Sequence, residues 1–320
     1  MTGRPTAAPE HAGESVEHVI DVAAPAEDVY RLLADAGNWA WIFGPFVHLD
    51  VAEGGTAGAE ERVTVWSHGD GEVHRWVKHR VLHPDRLRID YRPEQLPPAL
   101  AAMERSFVVE PAGERAARVR LVHRFRAAGS SAPDDIRDTI DRISDAELAG
   151  VKAAAEPLAE RPDLLLVFGE TVHLPGRPAD VYDFLWDAGA WPDRIPHVSE
   201  VQVQGTGDAQ LVEMRTAEAR GGTLTTKTVR IGFPHRAIVF KQLLLPPVGR
   251  AHVVRWSLAE ESGRTVVTSR HTVLVDAEGA RRMLGADTDP GKAAEFVRRE
   301  LTTKTRLIFD AAGEHLGRAS

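Results

Sequence analysis

Cysteine is absent from all 320 residues. That excludes disulfide bridges, thiolate zinc sites and a cysteine nucleophile together. Long apolar runs are missing too, none approaching the roughly 20 residues of a membrane span. The opening MTGRPTAAPEHAGES has no apolar core of the kind a secretory signal carries. A cytoplasmic protein is the expectation, with residues 1–14 as a disordered leader. Positive charge is in deficit, 39 Lys and Arg against 47 Asp and Glu for a net charge of −8. Nucleic acid needs a basic face, so it is not an expected partner, and neither is a membrane. No Gly-x-Ser-x-Gly nucleophile elbow occurs. The glycine run Glu53-Gly54-Gly55-Thr56-Ala57-Gly58 lacks the strand–turn–helix setting of a phosphate loop, and so reads as a plain loop.

What is present is a repeat. DVYRLLADAGNW, from Asp28 to Trp39, returns as DVYDFLWDAGAW, from Asp180 to Trp191. The chain length suits two domains of about 150 residues each. Pro162 must end the first closing helix, which predicts domains over 15–161 and 162–318. Each copy opens on an alternating stretch, VEHVIDV or LLLVFGETVHL, where period two argues for a strand. A short helix follows, ending at Gly37 or Gly189. Five strand-like runs come next, and then one long helical pattern, Asp134 to Glu160 or Pro290 to Gly317. Successive strands joined by turns predict an antiparallel sheet, hence an α+β fold in each copy. A sheet wrapped on one helix leaves a hollow between them unless large side chains fill it.

The run VHRWVKHRV and its second-copy counterpart LTTKTVRI carry the most chemistry. Alternation puts His74, Trp76, Lys78 and Arg80 on one face in the first copy, and Leu224, Thr226, Thr228 and Arg230 on one face in the second. Both faces of the first strand carry charge, so pattern alone leaves a pocket arginine and a surface arginine equally open. His79 and His83 have a ligand spacing, but only a helix brings that spacing onto one metal. With His74 on the opposite face, no metal site is expected.

Trp76-Val77-Lys78-His79-Arg80, Thr228 with Arg230, and Leu301-Thr302-Thr303-Lys304-Thr305-Arg306 carry a resemblance. The layout resembles the Bet v 1/START-type helix-grip fold, and specifically the aromatase/cyclases of bacterial type II polyketide synthases. In monodomain members the strand reads Trp-Val-Ser-His-Arg and the closing helix Leu-Asn-Thr-Thr-Thr-Arg. The resemblance implies a didomain, cofactor-free enzyme that folds a carrier-bound poly-β-ketone, closes its first ring by an aldol step and dehydrates it. It implies Arg230 with Thr228, and Arg80 with Lys78, as enolate and oxyanion stabilisers. His197 is the preferred proton-transfer group among 14 histidines. Substrate walls are expected from Trp256, Trp191, Thr226, Thr302 and His271 in the second copy, and from Trp76, His74, Phe107, Trp39 and Trp66 in the first. His123 matches His271, and the aromatic-rich first copy is expected to have the smaller or a plugged cavity. Arg281, Arg282, Lys292, Arg298, Arg299, Lys304 and Arg306 read either as a solvated helix face or as a docking surface for an acidic acyl carrier protein. Other synthase components are possible partners. Two other readings share the fold: a non-catalytic carrier of apolar ligands, and a dehydratase acting on a ring already closed and reduced.

Overall fold

The computed structural model describes residues 13–52, 59–129, 131–205, 207–217 and 222–319. The chain forms two compact units, whose main division falls between Glu160 and Arg161, with the short segments Pro45–His48 and Ser67–His74 set apart from the rest of the first repeat. The leader, residues 1–12, and the Glu53–Gly58 loop lie outside the described residues. The first unit runs β1 (Glu14–Val22), α1 (Ala26–Ala34), α2 (Trp39–Ile42), β2 (Phe46–Val51), β3 (Glu60–Gly69), β4 (Glu72–His83), β5 (Arg88–Pro93), β6 (Leu100–Gly113), β7 (Ala116–Ala127) and α3 (Pro133–Glu160). The second repeats it as β8 (Leu165–Leu174), α4 (Pro178–Trp186), α5 (Trp191–Arg194), β9 (Val198–Gln204), β10 (Ala209–Ala217), β11 (Thr223–Phe233), β12 (Ala237–Leu244), β13 (Gly249–Glu261) and β14 (Arg264–Val275), closing with α6 (Ala277–Leu284) and α7 (Pro290–Ala319).

Each unit holds one seven-stranded sheet, ordered β1-β7-β6-β5-β4-β3-β2 and β8-β14-β13-β12-β11-β10-β9. The strand pairs are antiparallel, and the first strand of each unit lies beside the last, β1 on β7 and β8 on β14. Local chemistry sets the reversals. Asp70-Gly71 and Ser262-Gly263 adopt positive φ at both positions, as the two-residue turns that match strand twist require. The sheets have one strand more than the sequence pattern suggests. β2 and β9 are short edge strands, and most of β9 is exposed, so neither shows the apolar alternation of a half-buried strand. α6 is also additional, its N-terminus held by the Asp276 carboxylate accepting from the Gly279 amide at 2.9 Å.

The long helices bury one face each. In α3, Ile136, Ile140, Ser144, Leu148, Val151 and Ala155 recur at helical spacing and are buried. In α7, Thr305, Ile308, Phe309, Ala312 and Leu316 do the same. α4 lies close on the second sheet because β11 offers a glycine beneath it. A Cβ on Gly232 would stand 2.2 Å from the Tyr182 hydroxyl and 3.1 Å from the Trp186 ring.

Gly232→Ala is therefore expected to lift α4 and lower stability by about 1–3 kcal/mol. Gly69→Ala, where an added Cβ meets nothing within 4 Å, serves as the control. Thermal unfolding of the two variants compares them; equal melting temperatures would contradict the packing argument.

Candidate functional site

Between α7 and the inner face of the second sheet lies a cavity of about 210 Å³. Strand periodicity builds its wall. Leu224, Thr226, Thr228 and Arg230 line it from β11, Phe240 and Gln242 from β12, His252 and Trp256 from β13, and His271 and Val273 from β14. Trp191 of α5 closes one side. From α7 come Leu301, Lys304, Thr305 and Ile308, spaced so that one helix face meets the cavity. The question left open by the pattern is thus resolved in favour of an inward Arg230.

Arg230 is buried, and its guanidinium faces the C-terminal end of α4. It donates to the carbonyls of Leu185 and Trp186 and to Gln210 Oε1, the last two at 3.3 Å. Those carbonyls are the helix's unsatisfied, partly negative end, so they suit a cation. The Trp186 and Trp191 rings flank the charge at 5.0 and 5.2 Å. Burial pulls its pKa down to about 9, which still leaves it protonated at neutral pH. Much of the fork is already engaged, so Arg230 acts on the cavity chiefly as a fixed positive charge.

A second polar feature crosses the sheet. Gln242 Oε1 lies 2.8 Å from His252 Nδ1, His252 Nε2 lies 3.0 Å from His271 Nδ1, and His271 Nε2 lies 3.2 Å from Thr305 Oγ1. The imidazoles stack at 5.3 Å, and Phe168 stacks on the far side of His271 at 5.1 Å. Burial lowers both histidines, His252 to about 3 with help from His271, and His271 to about 4. Both are neutral at neutral pH.

The first unit keeps the frame and changes the contents. Trp39, Phe43, Tyr91 and Phe107 are all buried and pack ring on ring, with centroids 5.6 to 6.3 Å apart. Lys78 Nζ sits 4.4 Å over Trp39 and 5.3 Å over Tyr91. Burial first, and then the Arg105 charge, draw its pKa down to about 7. Arg105 pairs with Glu147 of α3, and Arg80 Nε pairs with Glu61 at 2.7 Å. This last pair marks the main electrostatic difference. The strand beside each arginine offers a carboxylate, Glu61, in the first unit, and a neutral amide, Gln210, in the second. The Arg80 charge is cancelled locally; the Arg230 charge is not.

Several expected site residues stand elsewhere. Trp76 is 45 % exposed and His74 is exposed, so neither lines an interior. Trp66 is buried, but on the strand face opposite Glu61, where Arg75 covers its ring at 5.4 Å. Thr302 is rotated off the helix face that carries Leu301 and Thr305, so it misses the cavity lining. His197 is also outside the lining, half-buried, its pKa lowered by burial and by Lys304. Much of the cationic set near α7 is internally paired, with Arg306 on Glu170 at 2.6 Å, Arg299 on Glu300 at 3.7 Å and Arg282 on Glu278 at 3.9 Å. Sequence reasoning missed Gln242, His252 and Thr305. Only Thr305 had a signal, its place one helical turn beyond Leu301. Among the described residues no group of three or more His, Asp or Glu is arranged to hold a metal ion, and no helix is long and apolar enough to cross a membrane.

Two stretches of the chain, residues 14–156 and 174–298, match families described as polyketide cyclase/dehydrase and lipid transport. The actinorhodin polyketide synthase bifunctional cyclase/dehydratase of Streptomyces coelicolor is 33 % identical over 316 residues, covering 95 % of this chain and 98 % of the relative. Two solved structures match along nearly all of their length. The di-domain ARO/CYC BexL from the BE-7585A biosynthetic pathway has a TM-score of 0.87 at 38 % identity, over 95 % of this chain and 98 % of that one. The di-domain ARO/CYC StfQ from the steffimycin pathway has a TM-score of 0.82 at 27 % identity, over 95 % and 99 %.

Acid should destabilise the protein through its buried imidazoles. His123, drawn down to about 3 by burial and then by Arg105 and His18, joins His252 and His271. Each has a folded pKa below its unfolded value of about 6.5. The unfolded chain therefore binds more protons from about pH 6.5 down to about pH 4, and stability falls as pH drops through that window. The expected slope is up to about 1.4 kcal/mol per pH unit for each imidazole. Melting temperatures from pH 7 to 4.5 measure it, and a flat profile would contradict the assignment of neutral, buried rings.

Proposed function

Since this chain belongs, in each of its two units, to the polyketide cyclase/dehydrase and lipid transport family, we propose that it is a polyketide aromatase/cyclase working in its second unit. The reading places ring closure of a carrier-bound poly-β-ketone, and the water loss that follows, in the cavity under α7. One observation carries it: an apolar hollow whose wall holds a buried, uncancelled guanidinium beside a hydroxyl.

The substrate's methylenes lie between carbonyls, so their C–H bonds are acidic, and deprotonation puts negative charge on oxygen. A positive charge fixed at the cavity wall stabilises that charge without reorganising. Arg230 supplies it and Thr228 offers a hydroxyl; the Thr228 Oγ1 to Val212 carbonyl distance of 3.5 Å is too long to commit the group strongly. Trp191, Phe240 and Trp256 give flat apolar walls that hold the folded chain so that the enolate carbon meets its carbonyl. On the scale where a 150 Å³ apolar cavity accepts benzene, about 210 Å³ admits one substituted ring. The remainder of the chain extends toward Met283, 44 % exposed, and Lys304. Lys304 and Arg298 supply the positive charge that an acidic carrier protein would meet. The first unit, with its ring-filled interior and cancelled arginine, serves as scaffold. A carrier of apolar ligands gains nothing from a buried cation, which is costly to desolvate.

Reconstitution with a minimal synthase, scoring ring-closed product, tests the assignment. Arg230→Met should lower product formation by about 10²-fold. Gln210→Glu, which brings a carboxylate to the guanidinium as Glu61 does, should lower it about tenfold with the fold intact. Full activity in both variants would remove the proposed role of Arg230. Productive binding of the carrier-tethered chain should weaken as salt rises from 50 to 500 mM, on the order of tenfold; a salt-independent KM for the tethered substrate would count against cationic docking.

A further inference from the structure

The chain from Gln242 to Thr305 has a direction, and a backbone carbonyl sets it. A carbonyl oxygen can only accept, and Leu244 O lies 2.8 Å from the Gln242 side-chain nitrogen. That contact orients the amide, so Gln242 Oε1 faces His252 Nδ1 as an acceptor. His252 must then carry its proton on Nδ1 and, being neutral, leave Nε2 bare. A bare Nε2 at 3.0 Å accepts from His271 Nδ1. His271, also neutral, is left with a bare Nε2, which accepts from the Thr305 hydroxyl. All three hydrogen bonds point the same way, from α7 across β14 and β13 to β12. The Thr305 proton is turned toward His271, so its oxygen lone pairs are the part free for the cavity it lines.

We propose that Gln242 and His252 are positioning residues that lock His271 as the Nδ1–H tautomer, so that Thr305 exchanges protons with substrate in the second-unit cavity. The inference rests on the cyclase/dehydratase reading of that cavity and adds the route by which its protons move. In the forward step Thr305 Oγ takes a proton from the substrate methylene while its own hydroxyl proton passes to His271 Nε2. The C–H electron pair becomes the enolate, held by the Arg230 charge. The His271 imidazolium shares its Nδ1 proton with His252 Nε2, which spreads the charge over two stacked rings. When the enolate carbon bonds the carbonyl carbon, the C=O electron pair moves onto oxygen, and the borrowed proton returns through Thr305 to make that oxygen a hydroxyl. In the dehydration step Thr305 takes a second C–H proton by the same route and returns it to the departing hydroxyl. The C–H pair becomes the carbon–carbon double bond, the C–O bond breaks and water leaves. Each step borrows one proton and returns one, so no further reactant is needed.

The sequence neighbourhood supports a dedicated device. His123 and Ser144 stand in the first unit where His271 and Thr305 stand in the second, but the place of His252, two residues before the strand partner of the histidine, is taken by Met103. Without that acceptor, and among the described residues, His123 Nδ1 has no hydrogen-bond partner and neither does Ser144 Oγ. The second unit completes the row.

Nitrogen-15 spectra of the wild-type protein at pH 7 should show His252 and His271 both protonated on Nδ1 and bare on Nε2. Gln242→Leu keeps the volume and removes the acceptor, so the His271 tautomer should become mixed. Turnover number for dehydration should fall on the order of tenfold with KM unchanged, because an unoriented base loses rate rather than binding. Gln242→Glu, which restores an acceptor oxygen, should recover the single tautomer and most of the rate. A wild-type His271 protonated on Nε2, or unchanged spectra in Gln242→Leu, overturns the relay and leaves the Arg230 assignment standing. Ordered spectra with full turnover in both Gln242→Leu and Thr305→Val overturn its part in the reaction. Loss of product in Arg230→Met alone would then mark the cyclase reading as sound and the relay as wrong.

Discussion

The Arg230 guanidinium against the end of α4 is the contact on which the second unit's site depends. A buried cation is tolerated only where dipoles and acceptors replace water. Here the Leu185 and Trp186 carbonyls, Gln210 and two indole faces do so. The same bonds tie α4 to β11, and Gly232 makes the approach sterically possible. Position, charge and the shape of the cavity's inner end thus share one origin. None of the partners carries a full negative charge, so the field reaches the hollow.

Much of this was legible in the sequence. The repeat announced two units, and period two placed Thr226, Thr228 and Arg230 on one strand face, where they line the cavity together. Trp191 and Trp256 also line it. What failed did so for identifiable reasons. Thr302 belongs to a threonine-rich motif, but helical phase turns it aside and Thr305, three residues on, holds the inward position. Trp76 and His74 share a strand face with Lys78 and Arg80 but lie further along the strand, where they are exposed. Trp66 faces the other way. His252 and Gln242 were invisible because the first copy has no counterpart to His252, and because their meaning lies in cross-strand neighbours that a linear pattern does not contain.

Duplication followed by divergence explains the asymmetry of the interiors. In the first unit apolar rings and two ion pairs occupy the centre. Lys78 is held there largely by aromatic faces and by burial that weakens its hold on a proton. In the second, the corresponding place has the short Thr228, the arginine faces an amide, and space remains. The sheets need not differ for this to happen. Changes at a handful of inward positions suffice, because alternate residues of each strand are insulated from the outer surface.

The Glu61 and Gln210 difference also bears on the history of such tandem proteins. Glutamate and glutamine codons are separated by a single nucleotide, so a duplicated gene stands within one point mutation of silencing or restoring the field in either half. Selection at that one position can shift the field from one half to the other while the backbone stays still, so that a half without it is kept for its fit.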